Sequence, residues 1–390
     1  MRSSSISSSP IYLNPAARGW RHGSCSQPQS ESPVQALHRS LPNYAPSPLH
    51  SLPSLAQSLN LSHVFLKDES SRFGLPSFKI LGASWAVYRA VAARLGLDPD
   101  CHIDSGLSSL ASIAKQRGLG NLITCTEGNW GRAVARMAGY LGLKAVVYVP
   151  GHVHVATRDL IRGEGAEVRV VEGADYDAAL ETAKRRGEDG DEGLLVMDIG
   201  WEGYEDVPQW VVEGYQTMLD EADGQVLLAT GGKPVTHAIV PVGCGSIAQA
   251  VTQHFKNAAR ERDSVPPATV LAVEPDTAAC LKTSLEQGRM TTVATQDSIM
   301  CGMNCGTLST TAWPALRSGV DGTVVVSDGE SHAAVGELGK QGIRAGPCGA
   351  ATLAALKRVC ESGGRELGLD GSSVVVLFCT EGHREYAVPA

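Results

Sequence analysis

The 390-residue sequence predicts an α/β protein of two lobes with open, mostly parallel sheets. Apolar runs alternate with helical stretches in the manner of stacked βα units. Many of those runs are unbroken Val, Ile and Leu, as strands are when helices cover both sheet faces. A chain of this length also exceeds what one such core usually holds, so two lobes with a cleft between them are expected. With 43% hydrophobic, 19% charged and 5% aromatic residues, the disordered, collagen-like and coiled-coil classes are excluded.

The elements follow in order. Residues up to about Pro53 are rich in Ser, Pro and His without sustained periodicity and read as an extended arm. A short strand at Val64-Phe65-Leu66 ends in Lys67-Asp68-Glu69. Asn121 to Thr126 reads as a strand, followed after Gly128 by a helix from Asn129 to Leu141. Ala145 to Val149, Glu167 to Val171, Leu194 to Asp198, Ala238 to Val242, Val270 to Val273, Thr323 to Val326 and Val374 to Cys379 continue the series. Arg186 to Gly193 reads as a surface loop, and Glu221 to Pro234 as a linker or interdomain turn.

A net charge of −8 with scattered basic residues gives no electrostatic footprint for nucleic acid or anionic lipid. No run approaches the roughly 18 apolar residues that span a bilayer. A small-molecule enzyme is therefore the expected class. The 10 cysteines are too dilute for a disulfide scaffold, and Cys125, Cys244 and Cys379 lie in or beside strand-like runs as small buried hydrophobes. Cys301 and Cys305 form the tightest pair, but no second pair or nearby His completes a zinc set, so no metal site is expected. The start, Met1-Arg2-Ser3-Ser4-Ser5-Ile6, lacks the apolar core of a secretory signal. A cytoplasmic location is expected, with the Ser/Arg content leaving an organelle transit peptide open.

Four constellations could carry chemistry, the third made of two segments. Gly243-Cys244-Gly245-Ser246-Ile247-Ala248 follows a strand and opens a helix, where backbone N–H groups gather to meet an anion. The same pattern fits a dinucleotide fingerprint, with Glu274 ending the next strand as the ribose-binding acid, or simply a tight strand–helix turn. Ser77-Phe78-Lys79 places a lysine at the start of an apolar helix. That lysine either snorkels to the surface or, desolvated, forms a Schiff base with an aldehyde cofactor. Two strand ends each present a carboxylate, Glu127 before Gly128-Asn129-Trp130-Gly131 and Asp198 before Ile199-Gly200-Trp201. Ligands in open α/β sheets bind at such strand ends. The last strand delivers Thr380-Glu381-Gly382-His383, a polar tip that could contact a heteroaromatic ring nitrogen.

Together these segments resemble the fold-type II pyridoxal 5′-phosphate enzymes, and within them the diaminopropionate ammonia-lyases. The likeness runs from about Tyr12-Leu13-Asn14-Pro15 to the C-terminus. Its most specific pieces are Val64 to Leu75, Ser77-Phe78-Lys79, Gly128-Asn129 with Gly131-Arg132, and Trp201-Glu202-Gly203-Tyr204 continuing to Pro208, Trp210 and Gly214-Tyr215. The resemblance implies a large cofactor-binding domain of residues 54–85 and 216–390, a small domain of residues 86–215, and an arm, residues 1–53, packed on the large domain. It implies a homodimer acting on a small amino acid.

By the same resemblance Lys79 carries pyridoxal 5′-phosphate, Asn129 bonds the ring oxygen, and Gly243, Cys244, Gly245, Ser246 and Ile247 cradle the phosphate. Thr380 meets the pyridine nitrogen, with Cys379 and Glu381 in adjacent register. Asp198 stands where the family has the base for the L-substrate. At the position of the second acid Glu127 replaces the family's Asp, and Trp130 replaces its His. Gly382-His383-Arg384 also departs from the family's acidic residue after that glycine. The implied reaction is α,β-elimination of 2,3-diaminopropionate to pyruvate and two ammonia. A serine or threonine dehydratase or a β-replacement enzyme would share the cofactor residues, and a non-catalytic cofactor-binding protein is the bland alternative.

Overall fold

In a computed structural model, residues 9–23, 32–98, 106–173, 176–188, 193–262, 265–362 and 364–389 are described. The chain divides into two compact units, one of residues 1–27, 46–71 and 218–390, the other of residues 28–45 and 72–217.

The first unit is built on a seven-stranded sheet of order β1-β10-β9-β8-β11-β3-β2. Its strands are β1 (Ile11–Leu13), β2 (Leu49–Ser51), β3 (His63–Asp68), β8 (His237–Pro241), β9 (Thr269–Pro275), β10 (Gly322–Val326) and β11 (Val374–Cys379). The five inner strands run parallel and are almost wholly buried, which explains their unbroken Val/Ile/Leu runs. The short edge strands β1 and β2 pair antiparallel, so the sequence read as an extended arm blunts both edges of the sheet. Helix α15 (Pro347–Glu361) covers one face with α14 (Asp328–Lys340) beside it; α10 (Ser246–Phe255) and α13 (Trp313–Gly319) pack together, α10 lying on β8 and β9. Short helices α2 (Pro53–Ser58), α11 (Ala258–Arg262) and α12 (Cys280–Gln287) complete the unit.

The second unit is built on a four-stranded parallel sheet of order β6-β5-β4-β7, formed by β4 (Asn121–Cys125), β5 (Lys144–Pro150), β6 (Glu167–Val171) and β7 (Gly193–Leu195). Helix α5 (Asn129–Tyr140) packs on β4 and β5 with α3 (Lys79–Arg94) against it, and α7 (Tyr176–Glu188) packs on β4, β5 and β7. Helices α4 (Gly106–Gln116), α6 (Val155–Gly163) and α8 (Asp206–Gly214) surround them. The unit also takes in helix α1 (Pro33–Ser40), which interrupts the supposed extended arm: proline at its first turn satisfies the helix start, and Val34, Leu37 and the fully buried His38 form its inner face.

Three expectations are corrected. Glu221 to Pro234 is not a linker, because α9 (Gln216–Thr230) runs through it; Glu221 and Gln225, one helical turn apart, both bond the fully buried Lys67 amine at 2.8 and 2.9 Å. The strand expected over Leu194 to Asp198 ends at Leu195. Beyond it the Met197 N–H turns to the Tyr204 hydroxyl at 3.1 Å instead of a neighbouring strand. The loop expected from Arg186 is helix as far as Glu188; a Cβ on Gly187 would lie 2.7 Å from Leu195 Cβ, a close approach that requires glycine. Residues 189–192 of that piece lie outside the described residues. Among the described residues no helix is long and apolar enough to cross a membrane.

The start of α3 is fixed by its crossing with α8. A Cβ on Gly214 would meet the Leu81 carbonyl oxygen at 2.5 Å, and one on Gly82 would meet the Tyr215 ring at 2.7 Å. The backbones touch there, and overpacking the contact forces them apart. Gly214→Ala is expected to lower stability by about 1–3 kcal/mol, read from the urea midpoint. An unchanged midpoint would show that the crossing does not constrain α3.

Candidate active site

Helix α3 begins at Lys79, whose backbone N–H is taken by the Ser77 hydroxyl at 3.1 Å. The Lys79 side chain reaches Asp198, with Nζ donating to Oδ2 at 2.5 Å and with side-chain exposures of 19% and 9%. The alternative of a lysine snorkelling to the surface is therefore closed. Asp198 lies three residues past β7 and is held by a staple. Tyr204 folds back so that its hydroxyl donates to the Leu195 carbonyl at 2.9 Å and accepts from Met197 N–H. Burial, with the nearby Asp198 charge adding to it, pushes that phenol well above its usual range. The Trp201 ring stacks on Tyr204 with centroids 4.3 Å apart, and the Lys184 ammonium sits 3.9 Å over Trp201. Tyr204 is a positioning residue that sequence reasoning placed in a motif without giving it a task.

The tip of β4 forms the next part. The Thr126 hydroxyl accepts from Gly128 N–H and Gly131 N–H, turning the chain directly into α5. A Cβ on Gly131 would lie 2.4 Å from Thr126 Cγ2, so only glycine fits the turn. Asn129 opens α5 half-buried, and Trp130 is 4% exposed, its indole N–H donating to Thr124 Oγ1 at 2.9 Å and its ring centroid 6.0 Å from Lys79 Nζ. Glu127 meets not Lys79 but His152, with Oε1 and Nε2 2.7 Å apart. Lys79, Asp198, Asn129 and Glu127 thus lie on one unit, the last three beyond C-terminal strand ends, where ligands bind in open α/β sheets.

The first unit carries the remaining candidates. The loop from Gly243 joins β8 to α10, with Gly245 at φ +97°, a left-handed conformation that favours glycine. A Cβ on Gly243 would approach the Gly302 carbonyl oxygen to 2.9 Å, and one on Gly245 would approach Leu316 Cδ1 to the same distance. No side chain caps α10 and no acid stands in its first turn. This bare helix N-terminus with a glycine cradle fits a phosphate. Along the adjacent strand β11 the faces alternate: Val375, Leu377 and Cys379 belong to the core under α15, whereas Phe378 packs toward Phe255 of α10. Thr380, the residue after the strand, is 4% exposed. Cys379 is fully buried, and Glu381 accepts from Cys348 N–H at the start of α15 at 3.1 Å.

Glu274 is not a ribose ligand. It is wholly buried and caps α12, accepting from Leu281 N–H at 2.6 Å and Lys282 N–H at 2.8 Å. Desolvation outweighs these donors and pushes its carboxyl up to about 7. The dinucleotide reading loses its acid.

Comparison with known proteins gives the family. Residues 41–380 match the family described as pyridoxal-phosphate dependent enzyme. The chain belongs to that family. A diaminopropionate ammonia-lyase of Salmonella typhimurium is 38% identical over 288 residues, 73% of this chain and 69% of that one. Its Escherichia coli counterpart is 32% identical over 369 residues, 90% and 87% of the two chains. The crystal structure of the E. coli enzyme in complex with an aminoacrylate-PLP azomethine reaction intermediate superposes with a TM-score of 0.81 at 28% identity, covering 95% of this chain and 93% of that one. The fold is accordingly that of the fold-type II pyridoxal-phosphate enzymes, and pyridoxal phosphate is the cofactor.

Because the folded-state pKa of Glu274 lies above the ordinary value of 4.5, the folded state binds this proton more tightly than the unfolded chain. Its contribution is fully present below about pH 4.5 and is lost as pH rises to about 7. The stability of the wild type relative to Glu274→Gln is expected to fall across that window and then level off, measured by urea unfolding at a series of pH values. A gap that widens with rising pH would contradict the buried-acid account.

Proposed function

We propose that this chain is a pyridoxal-phosphate-dependent ammonia-lyase that converts 2,3-diaminopropionate and water to pyruvate and two ammonia. The single observation that carries the reading is the Lys79–Asp198 contact, a cofactor lysine paired with an acid, in a chain similar to the diaminopropionate ammonia-lyases over most of its length. In this reading Lys79 carries the cofactor and Asn129 bonds its ring oxygen. The backbone of Gly243, Cys244, Gly245, Ser246 and Ile247 takes the phosphate, and the Thr380 hydroxyl meets the pyridine nitrogen. When bound, the cofactor supplies an electron sink that stabilises negative charge at the substrate α-carbon.

The chain's own residues handle the protons. Asp198 Oδ2 takes the α-proton of the L-substrate, and the Tyr204 staple keeps that oxygen in place. The leaving amine must depart protonated, so an acid matters as much as the base. Lys79 Nζ, once free of the cofactor, is the proton donor within reach of Asp198. Glu127 is the second acid, serving the β-ammonium or the α-proton of the D-isomer. Trp130 closes the site with an apolar ring where a titratable group would otherwise stand. A homodimer and a cytoplasmic location belong to the same proposal.

Purified holoenzyme is expected to release two ammonia per pyruvate from L-diaminopropionate. Release of one ammonia per pyruvate, with a hydroxy amino acid as the better substrate, would favour a dehydratase. Asp198→Asn is expected to lower kcat for the L-isomer by roughly a hundredfold or more while the cofactor stays bound. Wild-type turnover in that variant would overturn the assignment of the base.

A further inference from the structure

The strand tips of the second unit carry another carboxylate–nitrogen contact, and nothing above gives its nitrogen a task. Glu127 stands two residues past β4 and His152 two residues past β5, the neighbouring parallel strand, with Oε1 and Nε2 2.7 Å apart. An ionised carboxylate only accepts, so the imidazole N–H donates. No described residue bonds Glu127 Oε2.

Exposed pairs of this kind contribute little when both partners hang on mobile chain. Here the backbone is braced on both sides. Thr126 Oγ1 holds the turn after Glu127 through Gly128 N–H at 2.9 Å and Gly131 N–H at 3.2 Å. On the other side the Gly151 carbonyl accepts from the Arg158 guanidinium of α6, and a Cβ on Gly151 would lie 3.2 Å from Glu172 Oε2. The turn that presents His152 is therefore packed against the end of β6. The Trp130 side chain cannot do the same job, since its only N–H, that of the indole, is committed to Thr124.

We propose that His152 is a positioning residue for Glu127, and that the oriented carboxylate selects amino acids bearing a cationic group on Cβ over those bearing a hydroxyl. The inference rests on the ammonia-lyase reading and names its specificity determinant. With Oε1 occupied by His152, Oε2 is left to accept from the substrate β-ammonium. That charge-assisted bond is stronger than one from a hydroxyl. Losing His152 lets the Glu127 side chain rotate away, but it touches neither Lys79 nor Asp198.

The test compares wild-type, His152→Ala and His152→Gln holoenzymes with L-diaminopropionate and L-serine, and maps diethyl pyrocarbonate modification of His152 by mass spectrometry in wild type and Glu127→Gln. His152→Ala is expected to raise KM for diaminopropionate roughly tenfold or more, with kcat changed by less than about threefold and the dissociation constant for L-serine unchanged. His152→Gln, which keeps an N–H donor, is expected to recover most of the loss. His152 is expected to react faster once Glu127 is Gln. An unchanged KM in His152→Ala, an equal loss for both ligands, or equal His152 reactivity in the two proteins would each overturn the proposal. If wild type releases no second ammonia from diaminopropionate, the ammonia-lyase reading fails and the selectivity with it, whereas the modification map still reports separately on the Glu127–His152 contact.

Discussion

The site depends on one constraint: a lysine amine and a carboxylate must be held together where water is scarce. Lys79 arrives at the head of α3 and Asp198 from the far side, past β7, and they meet at 2.5 Å. A charge-assisted hydrogen bond in such surroundings is stronger than its surface equivalent, and leaving either partner alone there would be costly. The glycine contact between α3 and α8 sets where Lys79 starts, and the Tyr204 hydroxyl sets where Asp198 stops. Two unrelated pieces of packing thus serve one pair of atoms.

In the proposed reading the first unit solves a different problem, the holding of an anion. It uses backbone rather than side chains, with a left-handed Gly245, an uncapped helix and neighbours so close at Gly243 that no Cβ fits. The contrast with α12 is instructive. There a buried carboxylate, Glu274, already fills the helix start, and that end is closed to any ligand. Whether a helix N-terminus is a site or a joint depends on what the protein itself places there.

Much of this was legible in the sequence. The strands from Glu167 to Val171 and from Val374 to Cys379 match residue for residue; the second is fully buried and writes itself as an unbroken apolar run, whereas the first, a partly exposed strand at its sheet's edge, is marked by its β-branched Val168, Val170 and Val171. The glycine loop, Lys79 and Asn129 were visible because each sits where a strand or turn gives way to a helix, and Asp198 because it follows an apolar strand run. Helix α9 was hidden by Asp223-Gly224, which reads as a turn, while the pairing of Glu221 with Lys67 across 154 residues decides the matter. Helix α1 was hidden by the surrounding Ser and Pro, although Val34 and Leu37 mark its inner face. The Glu127–His152 contact could not be read at all, since it joins residues 25 apart that meet only because β4 and β5 are neighbours.

The most direct test of the central claim is to load the protein with pyridoxal 5′-phosphate, fix it with borohydride and map the modified peptide by mass spectrometry. The account predicts a single modification on Lys79 and none in Lys79→Ala. A cofactor fixed to another lysine, or one retained in Lys79→Ala, would contradict it.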